Sequence, residues 1–232
     1  MTDSVSDILL ALIWIGVSVG AYILSLKLYQ KCHYHPLLHP LVGSTIGIIA
    51  LLFLVDLDYQ VYQQHVSFIA FMLGPVTVAL AVPLYNQLHV LLRMGWRVIV
   101  PILVGGTIAP LLAWLSIYAF ETPLNLQMTM LVKSITTPLA MGTAESIGGS
   151  ASLAAVFVIV TGIIGAIFAP WVFKLTSNQS HMAQGVALGT VAHAVGTSRA
   201  VTTSEVCAAF ATLAVCLNGI VTAIVLPLLF SS

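Results

Sequence analysis

Residues 133–150 read KSITTPLAMGTAESIGGS. This stretch carries a lysine, a glutamate, a proline, three glycines and six hydroxyl side chains, yet it lies between long apolar runs. In hydrocarbon each unpaired backbone N–H or C=O costs several kcal/mol, so an interrupted helix persists only against protein or an aqueous cavity. The Thr-Thr-Pro and Gly-Gly-Ser interruptions therefore place the stretch inside the protein or beside water, away from lipid tails.

The composition of the chain supports a membrane setting. Of 232 residues 59% are hydrophobic and 6% charged, with a mean hydropathy of +1.08. Soluble domains carry roughly 25% charged residues, so the reading is an all-α, polytopic transmembrane protein. Seven Lys+Arg balance seven Asp+Glu, leaving no basic footprint for nucleic acid. Cys32, Cys207 and Cys216 lack metal-ligand spacing and read as structural. The acidic start MTDSVSD has no positive n-region, so the first apolar run reads as a retained span.

Segments near 8–28, 38–55, 97–119, 151–174 and 205–229 are long enough, or nearly so, to cross as helices. Three more are apolar but interrupted: 68–87, broken at Gly74-Pro75 and Pro83; the opening stretch; and MAQGVALGTVAHAVGTSRAVT, 182–202. The expectation is about eight membrane elements, three of them broken or re-entrant. The whole chain reads as one membrane domain, with peripheral spans in 1–60, a first broken-helix unit in 67–119 and a second in 131–229. GPVTVALAVP (74–83) echoes KSITTPLAMG (133–142), and GGTIAPLLAW (105–114) echoes GAIFAPWVFK (165–174). An internal repeat of this kind is common in secondary transporters.

Charge asymmetry gives an orientation. Lys27, Lys31, Arg93 and Arg97 alternate with Asp3, Asp7, Asp56, Asp58 and Glu121 along the chain. By the positive-inside rule this sets an extracytoplasmic N-terminus. Lys174 joins the cytoplasmic side only if 131–150 turns back instead of spanning.

Lys133, Thr136 and Thr137 stand at i, i+3 and i+4, which puts one ammonium and two hydroxyls on a single helical face. Pro138 favours a break there. With freed amides of a half-helix, these groups form a cradle for a carboxylate. The bland alternative has Lys133 snorkelling and the threonines bonding back to the helix. Glu145 reads as a proton carrier, a cation ligand, a partner of Lys133 or Arg199, or an acid exposed at the membrane edge before the Gly148-Gly149 turn. In GTVAHAVGTSRA (189–200), His193 and Thr197 stand at i and i+4, Gly196 permits close approach or a break, and Ser198 and Arg199 follow. Histidine changes protonation near neutral pH and arginine grips carboxylates in bidentate fashion. The two blocks are expected to wall one anion pocket: Lys133, Thr136, Thr137, Thr197, Ser198 and Arg199 for substrate, Glu145 and His193 for coupling to a proton or sodium ion. The bland alternatives are a core histidine and a boundary arginine.

Other readings are weak. Ser150 after Gly148-Gly149, with His193 downstream, is too common a pattern to argue for a hydrolase. His33, His35 and His39 are a poor metal pattern. No enzyme activity, metal or organic cofactor is expected.

KSITTPLAMGTAESIGGSASLAAVFVIVTGIIGA resembles the signature region of the LrgB/CidB family of bacterial membrane proteins. GTVAHAVGTSRA resembles its second block and LGPVTVALAVPLYNQ its earlier broken segment, so the likeness runs from about residue 36 to the end. The resemblance implies a multi-pass protein of the bacterial cytoplasmic membrane. It also implies a partner, a small LrgA/CidA-type membrane protein that is not fused to this chain. Two functions follow from it. One is a transporter of small monocarboxylates or 2-hydroxy acids (glycolate, glycerate, lactate or pyruvate), as in the related plastidial glycolate/glycerate translocator. The other is a holin/antiholin-like regulator of murein hydrolases and lysis. Self-association is left open.

Overall fold

The computed structural model describes residues 2–32, 38–79, 81–86 and 88–230, which form helices and no strands. The histidine pattern at His33 and His35 lies outside the described residues. The chain divides into two compact units, Met1–Pro75 and Val76–Ser232.

The first unit contains α1 (Thr2–Lys31), α2 (Pro40–Leu54), α3 (Tyr59–His65) and α4 (Ser67–Phe71). No residue in the apolar window of α1 is fully buried, as expected of a helix largely facing lipid. One face of α1 is nonetheless packed: Ser18 Oγ lies 2.8 Å from Tyr62 Oη, and the Trp14 ring meets Tyr62 edge-on at 5.5 Å. The α2 and α3 helices are bent by 119° at a short break, where Asp58 Oδ1 accepts the Gln60 N–H at 2.6 Å and caps α3.

The short helices α5 (Leu73–Ala79), α6 (Ala81–Asn86) and α7 (Leu88–Met94) follow. The break expected at Gly74-Pro75 falls earlier, at Met72, and the pair lies in the first turn of α5. Proline is tolerated there because it has no N–H to leave unbonded.

The rest of the second unit is α8 (Trp96–Tyr118), α9 (Leu124–Leu131), α10 (Thr137–Ser146), α11 (Ala151–Leu175), α12 (His181–Val201) and α13 (Glu205–Phe230). Four described helices, within α1, α8, α11 and α13, are long and apolar enough to cross a membrane, or five crossings if the bent α2/α3 pair counts as one. The expected tally of about eight is therefore not reached by full-length spans. The remaining expected elements are short or broken helices.

α8 and α13 run parallel. Val98 and Ile102 pack with Phe210 and Leu213, and further along Pro110 and Leu111 share a cleft with Val221 and Val225. α11 runs the opposite way, its last turn beside the start of α12.

Two segments fold back into this three-helix frame. The Cβ that Gly149 lacks would lie 3.1 Å from both the Thr129 nitrogen and the Ala144 carbonyl oxygen. Thr129 and Ala144 thus flank one point, whereas a continuous helix would hold them about 22 Å apart. The chain enters as α9, turns at 132–136 and returns as α10, so the opening stretch turns back. The same holds in α12, where Gly196 lies against the carbonyl of Leu188 with no room for a Cβ. Eight residues of straight helix would separate them by about 12 Å. The reversal is at His193, whose φ of 40° and ψ of −124° interrupt the helix. Of the two roles expected of Gly196, a close approach or a break, the structure shows the close approach: it is the bare contact that lets the return limb lie on the entry limb.

The hairpins enter from opposite faces. The first lies along the early half of α11, with Met128, Leu131, Ala140, Ala144, Ala154 and Val158 in one cluster. The second lies along the late half, with Leu188 and Ala200 packed against Ala169 and Phe173. Each hairpin leads into a span, 124–175 and 181–230, and the two spans are antiparallel. The hairpin-plus-span unit therefore occurs twice in inverted sense, a different pairing from the sequence echo between 67–119 and 131–229.

Candidate functional site

Both hairpin tips end in the interior, stitched to the same spans. Asn218, 3% exposed in the middle of α13, donates from Nδ2 to the Ser134 carbonyl at 2.8 Å and to the Thr190 carbonyl at 3.3 Å. The first carbonyl lies in the tip of the first hairpin and the second just before the tip of the second. Asn218 Oδ1 occupies the space that a side chain on Gly106 of α8 would need. One amide thus joins both blocks singled out in the sequence. Its only sequence signal is a lone polar residue inside VCLNGIV (215–221), a run too short on context to mark it.

The first tip is built by helix-end chemistry. Thr136 precedes α10 with extended backbone (φ −71°, ψ 148°), and Pro138 sits in the first turn. The Thr136 hydroxyl makes no capping bond, is buried, and has no hydrogen-bond partner. Lys133, half-buried, reaches Ser134 Oγ at 3.4 Å. Thr137 is half-buried at the first position of α10. The return limb therefore begins in the interior with free N–H groups, a cation beside it and an unsatisfied hydroxyl at its cap.

At the other end of α10, Gly148 adopts φ 79°, a conformation that costs a β-carbon-bearing residue roughly 1–2 kcal/mol. The Gly149 N–H bonds the Ala144 carbonyl at 2.7 Å and the Gly148 N–H bonds Glu145 at 3.3 Å, closing the helix in a Schellman motif. The Ser150 N–H then bonds Thr129 Oγ1 at 2.8 Å, locking the outer ends of the hairpin together. Ser150 caps α11, which gives its hydroxyl a structural duty.

The second tip is His193, 2% exposed, with Nε2 2.8 Å from the Val158 carbonyl of α11. A carbonyl only accepts, so Nε2 carries the proton. The ring and Val195 press on Gly162, where a Cβ would come within 2.7 Å of His193 Cε1. Backbone of this kind in a non-glycine residue costs roughly 1–3 kcal/mol and persists only when its surroundings hold it.

The remaining expected site residues are dispersed. Thr197 Oγ1 donates to the His193 carbonyl at 2.9 Å and Ser198 Oγ to Val195 at 2.7 Å, so both hydroxyls bond back within the return limb. Glu145 is exposed at the outer end of α10, roughly 13 Å of helix from Thr136, and pairs with neither Lys133 nor Arg199 among the described residues. Arg199 lines a cleft with Lys174 and Gln184, returned by the fold-back to the face where α12 began. Lys133 is not part of that cleft. The expected wall of Lys133 facing Arg199 is therefore not assembled, because the reversal at His193 carries Arg199 away from the interior.

A model of the LrgB-like family matches residues 18–232. The chain is 34% identical over 211 residues to the uncharacterized protein YxaC of Bacillus subtilis, covering 91% of each chain. It is 33% identical to YwbG of the same species, over 93% of this chain and 95% of that one. The holin-like protein CidB of Staphylococcus aureus is 27% identical over 97% of both chains. No solved structure matches.

Proposed function

Since the chain belongs to the LrgB-like family, we propose that it is a multi-pass protein of the bacterial cytoplasmic membrane that carries small monocarboxylates or 2-hydroxy acids, such as glycolate, glycerate, lactate or pyruvate, coupled to protons or sodium. The observation that supports this reading is the meeting of two inverted hairpins at Asn218. Two return limbs start there, one after Thr136 and one after His193. Each presents the positive end of a short helix to the interior, an arrangement suited to a carboxylate. Lys133, Thr136 and Thr137 supply charge and hydroxyls on one side of the path, and His193 an imidazole on the other. Glu145, Thr197, Ser198 and Arg199 stand outside it. Arg97 and Lys174 lie on one face of the second unit, since their clefts share the α11–α12 connection and the start of α12. Positive-inside logic makes that face cytoplasmic, and an N-terminus outside is part of the proposal.

A second reading is favoured by the holin-like name of the CidB relatives, which supports it more directly than any relative's name supports transport. In it the chain regulates murein hydrolase activity through assembly with an LrgA/CidA-type membrane partner, and the hairpin tips organise that assembly.

Uptake of labelled glycolate and pyruvate into liposomes containing the purified chain, under imposed pH or sodium gradients, tests the first reading. Gradient-dependent uptake is expected. Failure across the monocarboxylate panel, with hydrolase activity in cells altered by deletion, sinks it in favour of the second.

A further inference from the structure

We propose that the cleft between the end of α11 and the return limb of α12 holds the phosphate headgroup of an anionic phospholipid. The cleft is about 450 Å³ and is lined by two cations, Lys174 and Arg199, with no carboxylate among its lining residues. Neither cation has a hydrogen bond or ion pair among the described residues. A half-buried guanidinium without a partner is the group most in need of an anion, since its five donors match phosphate in pairs.

The surrounding wall is organised. The Gln184 side-chain amide donates to the Asn178 carbonyl at 2.7 Å, and Asn178 Oδ1 accepts the Ser180 N–H at 2.9 Å, which fixes the α11–α12 turn beside the cations. The nearest acid along the chain, Glu205, is exposed at the start of α13 and does not line the cleft, and neither does His181.

Depth selects a lipid over a soluble anion. Lys174 lies in the last turn of a 25-residue apolar helix, which places it at the edge of the hydrocarbon where phosphates lie. Trp171 and Leu175 on the same turns are 63% and 69% exposed and provide the aromatic and apolar surface typical of that boundary. The other wall, Ala169, Pro170, Phe173 and Leu188, is apolar and suits the glycerol and upper acyl carbons. Basic pockets between helices on the cytoplasmic side are established places for such headgroups.

A phosphate between Lys174 and Arg199 ties the return limb of the second hairpin to α11. Anionic lipid then holds that hairpin in its folded-back position. This holds whether the chain transports or regulates.

The test is native mass spectrometry of the purified full chain titrated with phosphatidylglycerol or phosphatidylcholine. Preferential retention of phosphatidylglycerol is expected, falling about tenfold in the K174A/R199A double variant. The exposed single change Lys174→Gln, safe for folding, should weaken it several-fold, Lys174→Arg should keep it, and Arg93→Ala should leave it unchanged. Equal retention of the two lipids, or retention of phosphatidylglycerol by the double variant, overturns the proposal. So does thermal stabilisation by millimolar inorganic phosphate without any phosphatidylglycerol retention, since it would mark a site for free anions.

Discussion

The Asn218 side chain on α13 donates to the Ser134 carbonyl at 2.8 Å, joining a span to the tip of a hairpin 84 residues away in sequence. That single amide also reaches Thr190, so both hairpins depend on it. Replacing it with leucine removes the donor that both carbonyls share, a loss of about 1–3 kcal/mol. Asn218→Leu should lower the thermal midpoint in detergent and abolish uptake. Gly106→Ala, which drives a methyl into Asn218 Oδ1, should cost about 1–3 kcal/mol and reproduce the defect from the other side of the contact.

The fold-back of α12 depends on Gly196 lying on the Leu188 carbonyl. Gly196→Ala should open the second hairpin, read as faster hydrogen exchange across 189–200 and a loss of about 1–3 kcal/mol. Gly142 offers the matched comparison. It lies inside α10 with nothing within 4 Å of its absent Cβ, so Gly142→Ala should be neutral or stabilising by about 0.5–1 kcal/mol. Equal loss in both variants would discredit the hairpin contact.

Thr136 separates a structural role from a binding role. Its buried hydroxyl bonds to nothing, so Thr136→Val removes no internal hydrogen bond and should leave stability unchanged or slightly raised. On the transport reading, uptake should nevertheless fall about tenfold, an effect of about 1.4 kcal/mol on the rate-limiting barrier. Full uptake by this variant would remove Thr136 from the path.

His39 supplies a pH prediction in the first unit. Its Nδ1 accepts the Leu41 N–H at 3.4 Å to cap α2, and burial lowers its pKa below the usual 6.5. A histidine whose folded pKa is depressed binds fewer protons folded than unfolded, so its contribution is complete above about 6.5 and is lost as pH falls through the lowered value. Exchange at the first turn of α2 should quicken below that pH in the wild type. His39→Asn, a cap that does not titrate, should flatten the dependence.

The sequence made the interruptions legible and concealed their sense. Thr-Thr-Pro and Gly-Gly-Ser announce a break and a turn through local rules about proline and glycine. Whether a break bends a helix or reverses it is decided by what the two limbs lie on, here Gly149 against Thr129 and Gly196 against Leu188. Those contacts are invisible to periodicity. His193 was picked out for its titration, yet its principal structural act is to hold a positive φ that propensity would have assigned to Gly196. Arg199 illustrates the cost of missing a reversal: read along a straight helix it faces inward, and read along the hairpin it returns to the face of Lys174. Asn218 was missed because one amide in an apolar span gives no local pattern.

Gly162 and Gly165 of α11 and Gly185 and Gly189 of α12 all lie where a β-carbon would strike neighbouring atoms. The second hairpin therefore works as a shim, its thickness setting the gap between two antiparallel spans. Withdrawing it by a few ångströms would leave the bare Gly162 and Gly165 surface of α11 without the hairpin that now covers it. Any motion of that hairpin is thus also a change in the spacing of the frame, and the two contacts it would disturb first are those to Val158 and Asn218.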